Sequence, residues 1–228
     1  MLIGILQTGR APEALRAKHG DYPDAFARLL DGHGFSFRTW VVQDGELPDH
    51  PHDCDGWLIT GSRHAAYEDH PWIPPLEEFI RRCHGAGVPL VGICFGHQIV
   101  AQAMGGKVEK FAGGWAVGRT EYDWDGRTVA LNAWHQDQVV QVPAGAERIA
   151  SHPLCENAAL LYADRILTIQ AHPEFTPEFA RDLMEARGRG TVPDSLLDEA
   201  ARHFDEPLDS DATADRIASF LKAGRVAA

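Results

Sequence analysis

The sequence predicts an α/β protein with a mostly parallel central sheet, helices on both of its faces, and a smaller antiparallel sheet. Three observations predict it. Short apolar runs and segments of helical period alternate through residue 104, the order that builds a parallel sheet between helical layers. The early runs stop at glycine-containing turns. Beyond about residue 115 the pattern changes to short alternating runs around tight-turn dipeptides, the signature of antiparallel pairs.

Each element follows from its residues. Leu2-Ile-Gly-Ile-Leu6 is a short apolar run ending at Thr8-Gly9 and reads as a buried strand. Asp24 to His33 carries Phe26, Leu29 and Leu30 at helical spacing and stops between Gly32 and Gly34, so a helix is expected. Phe35 to Val42 is aromatic and β-branched, a second strand, and the Pro-, His- and Asp-rich stretch Gly45 to Asp55 is a loop. Trp57-Leu-Ile59 is a third strand that breaks at Thr60-Gly61-Ser62. Pro75 to His84 places Leu76, Phe79, Ile80 and Cys83 on one helical face. Val88 to Val91 is a fourth strand, and Phe95 to Met104 is a helix closed by Gly105-Gly106. Val117 to Gln141 reads as a hairpin around Asp125-Gly126, and Leu160–Tyr162 and Ile166–Gln170 as a second pair around Asp164-Arg165. Thr176 to Arg187 is a helix with Thr176 as N-cap and Pro177 at its first position. Residues 194 to 223 read as one or two terminal helices. The whole chain, 1–228, is expected to be one domain with a helical extension from about 190 to 228.

Composition excludes several classes. Against 33 Asp and Glu stand only 21 Lys and Arg, a formal charge of −12, which argues against nucleic acid or an anionic membrane as partner. No apolar run approaches ~18 residues, so no membrane span is expected. The Met1–Leu6 start is too short and too soon polar for a signal peptide. Four cysteines with no C-x-x-C pair fit a reducing compartment, and a cytoplasmic location is expected.

Gly92-Ile-Cys94-Phe-Gly96 lies where the fourth strand meets the next helix. A strand turning sharply into a helix strains the intervening residue and requires small neighbours. The apex side chain then projects at the carboxyl end of the sheet, where open α/β sheets bind ligands. The helix N-terminus favours a thiolate there, and the Phe95 N–H, without an intrahelical acceptor, is free to donate to an oxyanion. These features point to Cys94 as a nucleophile; the alternative is a buried structural thiol, which is the reading for Cys54, Cys83 and Cys155. A base is then needed from among twelve histidines. His172-Pro173-Glu174 follows the strand ending at Gln170, and residues two apart in extended backbone point the same way. Glu174 is thereby placed to fix the His172 tautomer while the other ring nitrogen faces the thiol. The alternative is a strand-end histidine beside a carboxylate that complements a helix dipole.

Ile93-Cys-Phe-Gly-His-Gln98 and Gln170-Ala-His-Pro-Glu174 closely resemble the class I glutamine amidotransferase family, the triad amidotransferases, over roughly residues 2 to 185. The resemblance implies a flavodoxin-like sheet and a Cys94–His172–Glu174 triad. It implies attack on the γ-carbonyl of glutamine, loss of ammonia, and hydrolysis of a γ-glutamyl thioester. Within Thr60-Gly61-Ser62-Arg63, the resemblance makes Gly61 a substrate-binding position and Ser62 the residue whose backbone N–H joins that of Phe95 in an oxyanion hole. The family's usual Gly-Pro is replaced here by Ser62 and Arg63. Gln98 matches the family's substrate-binding glutamine; the alternative is a polar side chain bonding locally on its helix. Trp134-His-Gln136-Asp137 matches the segment that holds the α-amino and α-carboxylate groups, with a plain inter-strand turn as the alternative.

Thr60 to Asp69, Gly92 to Gln98 and His135 to Val139 look like the stand-alone group that includes plant γ-glutamyl peptidases, and also like the amidotransferase domain of GMP synthetase. The synthetase's Ser-Gly-Gly-Val-Asp-Ser run and a phosphate-binding Gly-x-x-x-x-Gly-Lys-Ser/Thr are both absent from the sequence. The expected substrate is therefore a small molecule, glutamine or a γ-glutamyl compound, with no cofactor and no metal. Three functions stay open: a hydrolase acting alone, a glutaminase subunit feeding a separate synthetase, and a non-catalytic relative. His50-Pro-His52-Asp-Cys54 is too crowded in sequence to close a metal shell and reads as a solvated loop. The loops His64 to His70 and Gly113 to Gly118 are expected to read what lies beyond the scissile bond.

Overall fold

The computed structural model describes residues 1–223. Its elements run β1 Leu2–Gln7, α1 Glu13–His19, α2 Tyr22–Leu29, β2 Ser36–Val41, β3 Gly56–Ile59, α3 Ile73–Ala86, β4 Leu90–Ile93 and α4 Phe95–Ala103. There follow β5 Lys107–Lys110, β6 Ala116–Trp124, β7 Arg127–His135, β8 Asp137–Gln141, β9 Ala146–His152, β10 Cys155–Tyr162, β11 Ile166–Ile169, α5 Pro177–Leu183, α6 Asp194–Arg202 and α7 Ser210–Ala223.

Nine strands form one sheet in the order β2-β1-β3-β4-β11-β10-β9-β6-β7. The first five are parallel neighbours, and the remaining four continue the same sheet antiparallel. The smaller antiparallel sheet pairs β5 with β8. The expected parallel sheet and small antiparallel sheet are both present; the hairpin strands join the main sheet through β9, which pairs with β6 at Asp123↔Ser151 and Trp124↔Ala150.

Period-two alternation divides the core. Trp57, Ile59, Leu90 and Ile166 face α3 and α4, which contribute Leu76, Phe79, Ile80 and Ile99. Their neighbours Leu58, Val91, Ile93, Leu167 and Ile169 face the other way, against Phe26 of α2 and Ile217 and Leu221 of α7. Helices thus cover both faces of the parallel part. The terminal helices expected over 194–223 are α6 and α7, and both pack into core clusters; residues 224–228 lie outside the described residues. No helix among the described residues is long and apolar enough to cross a membrane.

Local chemistry explains the boundaries. The helix expected over 24–33 starts earlier, at Tyr22, because Asp21 and Asp24 form a reciprocal capping box. The Asp125-Gly126 turn has both residues at positive φ, 52° and 77°, as a two-residue hairpin with right-handed twist demands. In the next hairpin the left-handed pair is Ala163-Asp164, one residue earlier than the sequence suggests. Thr176 caps α5 by accepting from Phe179 N–H at 3.2 Å; the chain then widens into a π turn over Met184–Gly188.

Candidate active site

The carboxyl ends of three adjacent parallel strands, β3, β4 and β11, converge on one point. Cys94 follows the last residue of β4 and precedes the first of α4, with φ 53° and ψ −102°. A non-glycine residue held there stores strain of about 1–3 kcal/mol. The backbone is pinned on both sides: Cys94 N–H donates to Ile169 O at 2.8 Å, and Cys94 O accepts from Gln98 N–H at 3.1 Å. The flanking glycines are sterically required. A Cβ on Gly92 would lie 2.5 Å from Gly96 O, and one on Gly96 would lie 2.5 Å from Ile59 O. Gly96 therefore lets α4 approach the end of β3. Phe95 opens the helix, so its N–H has no acceptor four residues back, while its buried ring packs on Trp72 at 5.5 Å.

His172 and Glu174 arrive from the end of β11. His172 N–H donates to Asn132 O at 2.8 Å, and Asn132 Nδ2 donates to Phe175 O at 3.0 Å, so β7 grips the turn at both ends. His172 Nδ1 and Glu174 Oε1 lie 2.7 Å apart, both residues buried. A carboxylate only accepts, so Nδ1 carries the proton and Nε2 is left for Cys94. Phe175 stacks flat on the imidazole, centroids 3.9 Å apart and planes 7° apart. Burial alone would lower the His172 pKa. The charge of Glu174, then the charge of Cys94 and hydrogen bonds from both, outweigh burial and raise it from 6.5 to about 10.

The alternative groups are placed differently. His135 is pushed down to about 3 by burial and then by the charge of His172, and its Nδ1 donates to Asp137 O at 3.3 Å. His97 turns from α4 toward β11, paired with Thr168 Oγ1 at 2.8 Å, and is pushed down to about 3 by burial and then by His135. Both are neutral imidazoles near pH 7. Burial pushes the Cys54 thiol up to about 11 and Cys155 to about 12, and raises Cys83 as well. None of the three lines the cleft described next.

Cys94 and His172 open onto a cleft of about 490 Å3, which Gly61, Ser62, Gln98, Gln136 and Asp137 also line. All the site residues expected from sequence thus surround one space, apart from Phe95 and Glu174, which support it from beneath and behind. Gly61 is the closest approach: a Cβ there would lie 3.1 Å from His172 Cε1 and 3.8 Å from Cys94 Cβ. The Gly61 carbonyl accepts from the Thr8 and Thr60 hydroxyls at 3.3 and 3.1 Å. Across a trans peptide the N–H points opposite the carbonyl, so the Ser62 N–H is turned away from that buried threonine pair. Thr8 was not legible as a site residue, because its role depends on a partner more than fifty residues away.

Gln98 differs from the simplest expectation. Its amide nitrogen donates inward, to Asp137 O at 2.8 Å and Gln170 Oε1 at 3.2 Å, and so ties α4 to the 136–137 backbone. Tyr67, from the β3–α3 loop, donates to the Asp137 side chain at Oδ1, 3.0 Å away. Burial raises the Asp137 carboxyl. Trp115, from the glycine-rich stretch Gly113 to Gly118, also lines the cleft, and four cations, Arg10, Arg63, Lys110 and Arg187, stand along it beside two carboxylates, Glu68 and Asp137; Arg10 is paired with Asp44. In a protein of net charge −12 that local sign favours an anionic ligand.

Comparison with known proteins identifies relatives of the whole chain. The family description "Glutamine amidotransferase class-I" matches residues 37–187. A putative glutamine amidotransferase-like protein of Schizosaccharomyces pombe, C13C5.04, is 31% identical over 96% of this chain and 98% of its own. Gamma-glutamyl peptidase 4 of Arabidopsis thaliana is 30% identical over 76% of this chain and 75% of its own. The glutamine-hydrolyzing GMP synthase of Bordetella avium is 30% identical over 64% of this chain but only 32% of its own length. The crystal structure of a glutamine amido transferase from Methylobacillus flagellatus superposes with a TM-score of 0.73 at 24% identity, covering 97% of this chain and 92% of that one, which supports the fold.

Proposed function

Since the chain belongs to the class-I glutamine amidotransferase family, we propose that it hydrolyses the γ-amide bond of glutamine or of a γ-glutamyl compound, acting as a single domain. The Cys94 thiolate attacks the γ-carbonyl carbon, and the carbonyl π pair moves onto oxygen. The oxyanion is held by the N–H groups of Phe95 and Ser62. His172, protonated by the thiol, gives that proton from Nε2 to the departing nitrogen as the C–N bond breaks. Water then attacks the γ-glutamyl thioester, His172 takes its proton, and glutamate leaves as the thiol is restored. Glu174 holds the ring and offsets the imidazolium charge without taking the proton itself. The observation that carries this reading is the strained Cys94 elbow facing an imidazole whose Nδ1 lies 2.7 Å from a buried carboxylate.

Action without a synthetase is favoured by the match to a putative glutamine amidotransferase-like protein, 98% of which this chain covers, and by the peptidase matches. The cations beside the cleft suit a leaving group that carries its own carboxylate, as an amino acid does. The partial match to GMP synthase supports a second reading, a glutaminase subunit that passes ammonia to a separate synthetase.

Purified chain is expected to release glutamate from γ-glutamyl amides or dipeptides without ATP. The α-linked dipeptides should be inert, because their α-carboxylate is consumed in the peptide bond. Equal hydrolysis of α- and γ-linked dipeptides contradicts the assignment. Inactivity on all of them, reversed by a cell fraction, moves the reading to the subunit.

A further inference from the structure

Beside the cleft, the loop between β3 and α3 brings three metal-ligating atoms together. His64 Nδ1 lies 3.0 Å from Glu68 Oε2, His70 Nε2 lies 2.6 Å from the same oxygen, and the two ring nitrogens are 2.9 Å apart. Protons cannot satisfy this triangle. If both imidazoles donate to Glu68 Oε2, two N–H groups stand side by side at 2.9 Å. If one nitrogen is bare it can accept from the other, but it then presents a lone pair to the carboxylate. At most two of the three contacts are favourable in any tautomer. A single cation satisfies all three. An ion about 2.0–2.1 Å from each ligand atom would sit roughly 1.2 Å out of their plane, leaving its outer face for water or a further ligand.

The surroundings orient these ligands. The Ala65 N–H holds Glu68 Oε1 at 3.2 Å and so turns Oε2 toward the histidines. The His70 ring stacks on Trp72, planes 10° apart, and Trp72 is itself buried against Phe95. The His64, Glu68 and His70 side chains are 22%, 43% and 30% exposed, open enough for an ion to enter from solvent. Two imidazoles and one carboxylate select borderline transition cations over magnesium or calcium, which prefer all-oxygen shells.

We propose that His64, Glu68 and His70 bind one divalent transition cation of the zinc class at the mouth of the cleft, to which His64 and Glu68 also contribute lining. Binding at this site does not depend on the reaction assigned to Cys94. Cys94 and His172 are themselves possible ligands for a soft cation, so the test uses the full chain carrying Cys94→Ala.

Chelator-treated Cys94→Ala protein is titrated with Zn2+ by calorimetry, with Mg2+ as control. The expected result is one Zn2+ per chain, no Mg2+ binding at the same concentration, and at least a ~10-fold weaker Kd in each of Glu68→Gln and His70→Gln, since loss of even an outer partner weakens metal sites by that much. Both variants are conservative changes in a loop, and circular dichroism checks their folding. Co2+ in the Cys94→Ala protein supplies a readout that needs no loop variant: visible d–d absorption is expected without a sulfur charge-transfer band. No stoichiometric Zn2+ binding, or a Kd unchanged by both loop substitutions, overturns the proposal.

Discussion

At Cys94 two demands conflict, and the conflict is measurable. A nucleophile proposed at this position must carry a side chain, yet the φ of 53° suits glycine. Both Cys94→Ala and Cys94→Gly are expected to abolish turnover. Of the two, Cys94→Gly should be the more stable by about 1 kcal/mol in denaturant melts, because only the alanine variant keeps a Cβ at positive φ. Equal melts would mean that the elbow is not strained. A second residue-scale prediction separates the base from its orienter. His172→Ala removes the proton carrier, whereas Glu174→Gln leaves an imidazole in a poorer tautomer and orientation. Glu174→Gln should therefore lower kcat less than His172→Ala does, and the reverse order in steady-state kinetics would reassign the base. These residues were legible in sequence because each sits in a short motif whose geometry is local. Phe175, Tyr67 and Thr8 were not, since their roles arise from contacts across separate elements.

At the scale of elements, the site depends on how closely α4 seats against β3. The 2.5 Å between a hypothetical Gly96 Cβ and Ile59 O leaves no room for alanine. Gly96→Ala is expected to destabilise the chain by about 1–3 kcal/mol, a typical overpacking penalty, and to lower activity as the Phe95 N–H moves away from the end of β3. Unchanged melting and kinetics would show that the two elements yield freely. The parallel strands were readable because burial on both faces makes them continuous apolar runs. Three elements were not. β5 buries only Val108 between charged residues, so no apolar run marks it. α1 has Pro12 at its N-cap, with no side-chain cap, and buries only Leu15, so no apolar stripe marks it. β9 buries only Ile149 and Ala150 within a polar stretch, and its pairing with both β10 and β6 is long-range information. That missing strand is why the antiparallel half was not foreseen as a continuation of the main sheet.

Across the whole molecule, three buried histidines give stability a pH dependence of two signs. His97 and His135 fold with pKa values depressed to about 3, so their neutral burial contributes stability above 6.5 that is lost as pH falls from 6.5 through about 3. His172 is raised to about 10, so its contribution is complete below 6.5 and is lost as pH rises through about 10. Melting temperature should thus decline on both sides of a maximum, with His97→Gln flattening the acid limb and His172→Gln the alkaline limb. An acid limb of the same slope in His97→Gln would contradict the assignment of that limb to buried imidazole.

Cys94, alone among four cysteines, is proposed as the activated nucleophile. Its most direct test is alkylation by a glutamine-like chloroketone followed by peptide mass spectrometry. One label per chain is expected, on Cys94, with activity lost in step with labelling and no label in the His172→Ala variant over the same time. Label spread over Cys54, Cys83 and Cys155, or full activity in chains labelled at Cys94, would contradict it.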